Sequence, residues 1–211
     1  MRNDHELGSA MRLIALLVAL IIGAIALPLG AAAQDDPPPA RGPILRADPN
    51  YDLRTMIAPS QIPKAGMGLF AREPIKAGEV IGELGGQLLE EPDLANPSAY
   101  LAGLPDCAFD QMPPYRYLDS KDYGGNVSRA NFAPRLINGR ETNLQNARIE
   151  RVCRSPYVLF VATKDISPGQ EIWLSYGPDY YYDGFMSLTE VQEFFCRLTG
   201  IDCRQGFEFD H

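Results

Sequence analysis

Along the chain, short apolar runs alternate with turn signals. Met67–Ala71, Val80–Leu84 and residues 115–118, 147–152, 157–163 and 171–176 have strand length and are rich in β-branched and aromatic residues, the pattern of half-buried or buried strands. Turns punctuate them: Glu73-Pro74 after the first, Lys76-Ala77-Gly78 before the second, Ser167-Pro168-Gly169 before the last. The run 157–163 is almost wholly β-branched or aromatic and reads as a buried strand. One helix is well signalled. Leu188, Val191, Phe194, Phe195 and Leu198 recur at helical spacing, Ser187-Leu188-Thr189-Glu190 has the form of a capping box, and Gly200 is the expected stop. The pattern predicts a mainly β body closed by a C-terminal helix with one apolar face.

The N-terminal region reads differently. Residues 13–27 form an uninterrupted apolar run, with Arg12 before it and Pro28, Gly30 and Ala31-Ala32-Ala33 after it. A positive flank, a short apolar run and an A-x-A site describe a secretory signal peptide over residues 1–33, cut after Ala33, with Met11 a plausible start. An uncleaved membrane anchor is the alternative. Either places the rest of the chain outside the cytoplasm, periplasmic or secreted. Residues 34–54, containing DDPPPARGP, read as a proline-rich linker.

Composition narrows the chemistry. The 211 residues carry a net charge of -8, which argues against a nucleic-acid partner and suits a basic one. The two histidines, His5 and His211, lie at the extremities. The body thus lacks the imidazole of Ser-His-Asp, Cys-His and HExxH sites, and no metal site is expected. Four cysteines, Cys107, Cys153, Cys196 and Cys203, contain no C-x-x-C. In an oxidising compartment they suggest disulfides: Cys196 with Cys203 would staple the helix end, and Cys107 with Cys153 the middle. Three connectivities remain open.

Three segments carry candidate chemistry. They are 64–71 with Gly66-Met67-Gly68, 117–134 with Tyr117, Asp119, Gly125, Asn126 and Arg129, and 165–177 ending in Tyr176-Gly177. Each alone is weak: a tight turn, a surface loop, a core tyrosine. In this order they resemble the SET domain of protein lysine methyltransferases, here an exported member of bacterial type. The resemblance also takes in Ile75, Gly78, Glu79, Ile81, Glu83 and Gly86, and covers roughly residues 61–177. It implies a SET-domain, β-clip-like fold of several small sheets with knot-like threading over 55–186, followed by a C-terminal helix and tail over 187–211.

By that resemblance the chain uses S-adenosyl-L-methionine to methylate a lysine in a protein or peptide. Gly66, Met67 and Gly68 would line the cofactor's methionine end, Tyr176 would be the catalytic tyrosine, and Tyr117, Leu174 and Tyr176 would form the substrate channel. Such chemistry needs alignment and desolvation rather than a histidine or metal. The family's R-F-I-N-H-S segment is altered. Asn131-Phe132 keeps the spacing from Asn126, whereas Asn138-Gly139 keeps the letters; both lack the histidine, and Asn143 would close the motif. That loss leaves open a catalytically degenerate SET-fold module that binds peptides. A disulfide-stapled envelope domain would explain the cysteines but not the motifs.

Overall fold

The computed structural model of the chain describes residues 41–93, 98–104, 114–153, 157–178 and 180–210. The expected signal peptide and Cys107 lie outside them. The described residues hold five small sheets and little helix, as the alternation of short apolar runs and turns predicts. None of their helices is long and apolar enough to cross a membrane.

The run 157–163 becomes β12 (Val158–Ala162), the centre of a three-stranded sheet. It pairs antiparallel with β11 (Ala147–Arg151) on one side and β4 (Val80–Leu84) on the other. Val158, Phe160, Val161 and Ala162 are all buried; a strand covered on both faces needs this nearly continuous apolar run. The antiparallel pair β2 (Thr55–Pro59) and β3 (Met67–Ala71) presents the glycine-rich segment at its turn end. A four-stranded sheet runs in the order β1 (Arg41–Leu45), β5 (Gly86–Leu89), β7 (Tyr117–Asp119), β6 (Leu101–Gly103). Arg41 to Leu45 therefore belong to the folded body, not the linker: the backbone of β1 finds its hydrogen-bond partners on β5. Helix α1 (Pro49–Asp52) follows, capped by the Asp48 side chain on the Asn50 amide.

Two short strands make the crossing on which the site rests. β8 (Asn131–Phe132) pairs parallel with β13 (Trp173–Leu174). Of the expected strand 171–176, only Trp173 and Leu174 take strand pairing of this kind, while Glu171 makes an isolated bridge to Phe70. Asn146 locks the crossing. Its side chain donates to the Glu171 carbonyl (2.9 Å) and accepts from the Trp173 amide (2.9 Å), fully buried. Asn143, the expected closing asparagine of the motif, lies beside the surface Lys164 instead. Three positions along the chain decide it, because only Asn146 abuts β11 and reaches β13.

The C-terminal part is a second apolar cluster built on α3 (Thr189–Thr199), with Val191 and Phe195 buried and Gly200 in the left-handed conformation at its end. The expected capping box does not form. Ser187 instead closes the single turn α2 (Asp183–Met186), its amide donating to the Asp183 carbonyl, and takes helical dihedrals there. An N-cap needs extended backbone. The chain then runs back as β14 (Phe209–Asp210) onto β9 (Leu136–Ile137), itself paired with β10 (Arg140–Glu141). Cys196 and Cys203 form a disulfide with Cα atoms 6.1 Å apart, and Cys153 is also disulfide-bonded.

The short loop closed by Cys196 and Cys203 sets the size of its effect. Replacing both by Ser is expected to lower stability by about 2 kcal/mol. Urea unfolding under non-reducing conditions checks this as a lower midpoint with an unchanged slope.

Candidate active site

A cleft of about 820 Å³ brings the three sequence segments together. Its first wall is the turn before β3. Lys64 (φ 64°) and Gly66 (φ 74°) take left-handed backbone, and space is open around Gly66 where a side chain would stand. Met67 is half exposed on the cleft. Gly68 is a glycine for another reason: a Cβ there would overlap the carboxylate of Glu171.

Glu171 ties this wall to the rest. It is 2% exposed. Its Oε1 accepts from Ser60 Oγ (2.7 Å) and Asn131 Nδ2 (3.1 Å), and its Oε2 from the Gln61 amide (2.8 Å). Asn131 Nδ2 also donates to the Met67 carbonyl (3.1 Å). One buried carboxylate thus fixes the glycine segment, β8 and the approach to β13. Burial is tolerated because every bond to it comes from a donor fixed by the fold. Sequence reading matched Glu171 to a motif but gave it no role. The available signal was its being the one charged residue between Ile166 and Gly177.

The second wall comes from the turn of 3-10 helix Asn126–Arg129 and from β8. Gly125 (φ 65°) opens that turn. Asn126 is structural: its side chain donates to the Asp52 carbonyl and Thr55 Oγ1. Arg129 reaches the cleft, donating to Tyr100 OH with its guanidinium 4.9 Å from that ring. Asn131 lines the cleft, whereas Phe132 is 3% exposed and packs 4.3 Å from the Tyr182 ring. The Phe132 side chain thus belongs to the aromatic cluster, and Phe132 does not line the cleft. The other pair, Asn138 and Gly139, occupies the turn between β9 and β10, and Asn138 binds the tail at Asp202, Gly206 and Glu208. Neither lines the cleft.

Tyr176 stands where the two apolar clusters meet and packs against both. Its hydroxyl donates to the Ala130 carbonyl (2.8 Å), and its amide donates to Tyr182 OH (3.1 Å), which donates to the Gly177 carbonyl (2.9 Å). Tyr180 lies 4.6 Å from its ring. Burial, reinforced by Tyr180 and Tyr182, pushes the Tyr176 hydroxyl far above the ordinary phenol range. It is therefore a neutral donor and acceptor. Burial also raises Tyr180 and Tyr182.

Of the expected channel residues, Tyr117 lines the cleft and Leu174 does not. Leu174 is fully buried on the crossing beneath. Ile149 and Phe160 contribute apolar lining instead, and Tyr100 faces Arg129; sequence periodicity gave no reason to single these out. Ser120 Oγ, buried on the lining, has no partner among the described residues. No Asp or Glu lines the cleft among them, and no cluster of His, Cys, Asp and Glu suits a metal ion. Such a lining aligns and desolvates a reactant, and among the described residues it carries no carboxylate or imidazole to take the reactant's proton.

Comparison with known proteins gives the same span. The family model described as SET domain matches residues 66–177, from the first glycine of the cleft to Gly177. N-lysine methyltransferase KMT5A-A of Danio rerio is 29% identical over 113 residues, 53% of this chain and 32% of that protein. The match thus spans about a third of that curated relative. The methyltransferase domain of human PR domain-containing protein 2 aligns over 61% of this chain and 80% of its own, at 20% identity and a TM-score of 0.44. The polycomb repressive complex 2 of Chaetomium thermophilum aligns over 60% of this chain and 15% of its own, at 26% identity and a TM-score of 0.43.

The Glu171 junction predicts a coupled pair. Gly68→Ala is expected to cost about 2 kcal/mol by overpacking, and Glu171→Ala about 3 kcal/mol by leaving buried donors unpaired. Together they should cost clearly less than the sum. A double-mutant cycle by urea unfolding measures that coupling.

Proposed function

The chain belongs to the SET domain family, and from that premise we propose that it is a protein-lysine N-methyltransferase dependent on S-adenosylmethionine. The observation that carries this reading is the convergence of Gly66-Met67, Asn131 and Tyr176 on one cleft without an acidic or imidazole base on its described lining.

The residues present suit the cofactor's polar amino-acid end. The open backbone at Gly66 leaves room for close approach. The Arg129 guanidinium, the Asn131 amide and the orphaned Ser120 hydroxyl supply polar contacts on the same lining. In this reading Gly66, Met67, Arg129 and Asn131 hold the group. When bound, S-adenosylmethionine supplies an electrophilic methyl group.

The chain's own residues prepare the nucleophile. Tyr117, Ile149, Phe160 and Tyr176 take water from a lysine side chain entering the cleft, which favours its neutral amine. The Tyr176 hydroxyl spends its proton on the Ala130 carbonyl, so it presents lone pairs as acceptors to the amine's N–H groups. Orientation is the main contribution.

We further propose that the chain works outside the cytoplasm. The support is the signal-like run 13–27 with Ala31-Ala32-Ala33, together with the Cys196–Cys203 disulfide, a bond rare in reducing compartments. Finding all of the protein in the cytosolic fraction, with reduced thiols, would refute this.

Calorimetric titration with S-adenosylmethionine, followed by mass spectrometry of lysine peptides, tests the activity. Micromolar binding and a 14 Da gain on lysine, one CH₂ per transfer, are expected. Binding of peptide without any transfer would make the chain a binding module. Tyr176→Phe is expected to lower kcat about 100-fold with cofactor binding nearly unchanged. Because burial raises Tyr176 above its ordinary value of 10.0, its hydroxyl stays protonated up to that pH. The rate should therefore rise with pH as the lysine loses its proton, with no falling limb below pH 10 in a stopped-time assay.

A further inference from the structure

The charge of the described cleft lining is opposite to that of the chain. A net charge of -8 alone would favour a basic partner. Yet the charged side chains on the described lining are two arginines, Arg129 and Arg151. Neither has an ion-pair partner among the described residues. Arg129 is engaged with Tyr100 inside the cleft. Arg151 stands at the rim. Along one face of β11, Ala147 is buried in the core, Ile149 is half-buried on the cleft and Arg151 is exposed; alternate residues of a strand share a face. Only its Nε is spent, on the Gly103 carbonyl of the edge strand β6 (2.9 Å). That bond aims the planar guanidinium while leaving both terminal nitrogens free, a geometry suited to a carboxylate.

Resting on the methyltransferase reading, we infer that this cleft selects a lysine flanked by acidic residues and rejects a basic tail, with Arg151 reading the flanking carboxylate. The positive charge of Arg151 at the rim acts twice. It repels Arg and Lys beside the target, and it opposes the ammonium form of the target itself. The described acidic residues of the surface lie elsewhere and keep the chain soluble without setting specificity.

Fluorescence anisotropy of the full chain with two labelled peptides tests this. Each carries one central lysine, flanked in one by Glu and in the other by Arg. The Glu peptide is expected to bind about tenfold tighter at low salt, the difference shrinking as salt is raised. Arg151→Glu should reverse the order and Arg151→Ala should abolish most of the preference, with S-adenosylmethionine binding unchanged in both. Equal binding of the two peptides, preference for the Arg peptide, or a preference untouched by both variants would overturn the inference. Methyl transfer to the same peptides is scored separately: specific binding without transfer leaves the charge selection standing and removes the activity.

Discussion

The buried carboxylate of Glu171 is the interaction on which the site depends. Its two oxygens collect Ser60, the Gln61 amide and Asn131, while its own carbonyl is held by Asn146. Segments far apart in sequence meet on this one residue: the glycine-bearing turn, β8, β11 and β13. It leaves no room for a side chain at position 68. A charge in that place is costly unless every lone pair is matched, so the donors and the acceptor hold one another in register. The geometry of the cleft follows from that mutual constraint.

On this frame the chain builds a site from aromatic surface and backbone. Tyr176 lies on the seam between the sheet core and the C-terminal cluster. Its hydroxyl, fixed by Ala130, is kept neutral by burial. The C-terminal segment supplies Tyr180, Tyr182 and Phe209, and Phe132 packs against Tyr182 and Phe209. The helix and disulfide beyond it stabilise the same cluster rather than adding a separate module. Charge is distributed to match: acidic over the chain as a whole, positive on the described cleft lining.

The sequence by itself determined the class of fold, the positions of β3, β4, β12 and α3, and the three segments that form the site. These follow from local properties: strand-length apolar runs, turn residues and helical spacing act over a few neighbours, and a family pattern is a string of such neighbours. It left Asn131 and Asn138 as alternatives, and it named Asn143 where the structure places Asn146 at the crossing. Each pair has one residue type in similar local settings, and only the parallel pairing of β8 with β13 decides which member stands at the crossing. The capping role of Ser187 was lost to a turn of α2 that periodicity does not announce. Leu174 was drawn below the cleft by the pleat of a two-residue strand. The sign of charge in the cleft, finally, is a property of which side chains face one another across it, and that is decided by tertiary structure because electrostatic neighbours in space are seldom neighbours in sequence.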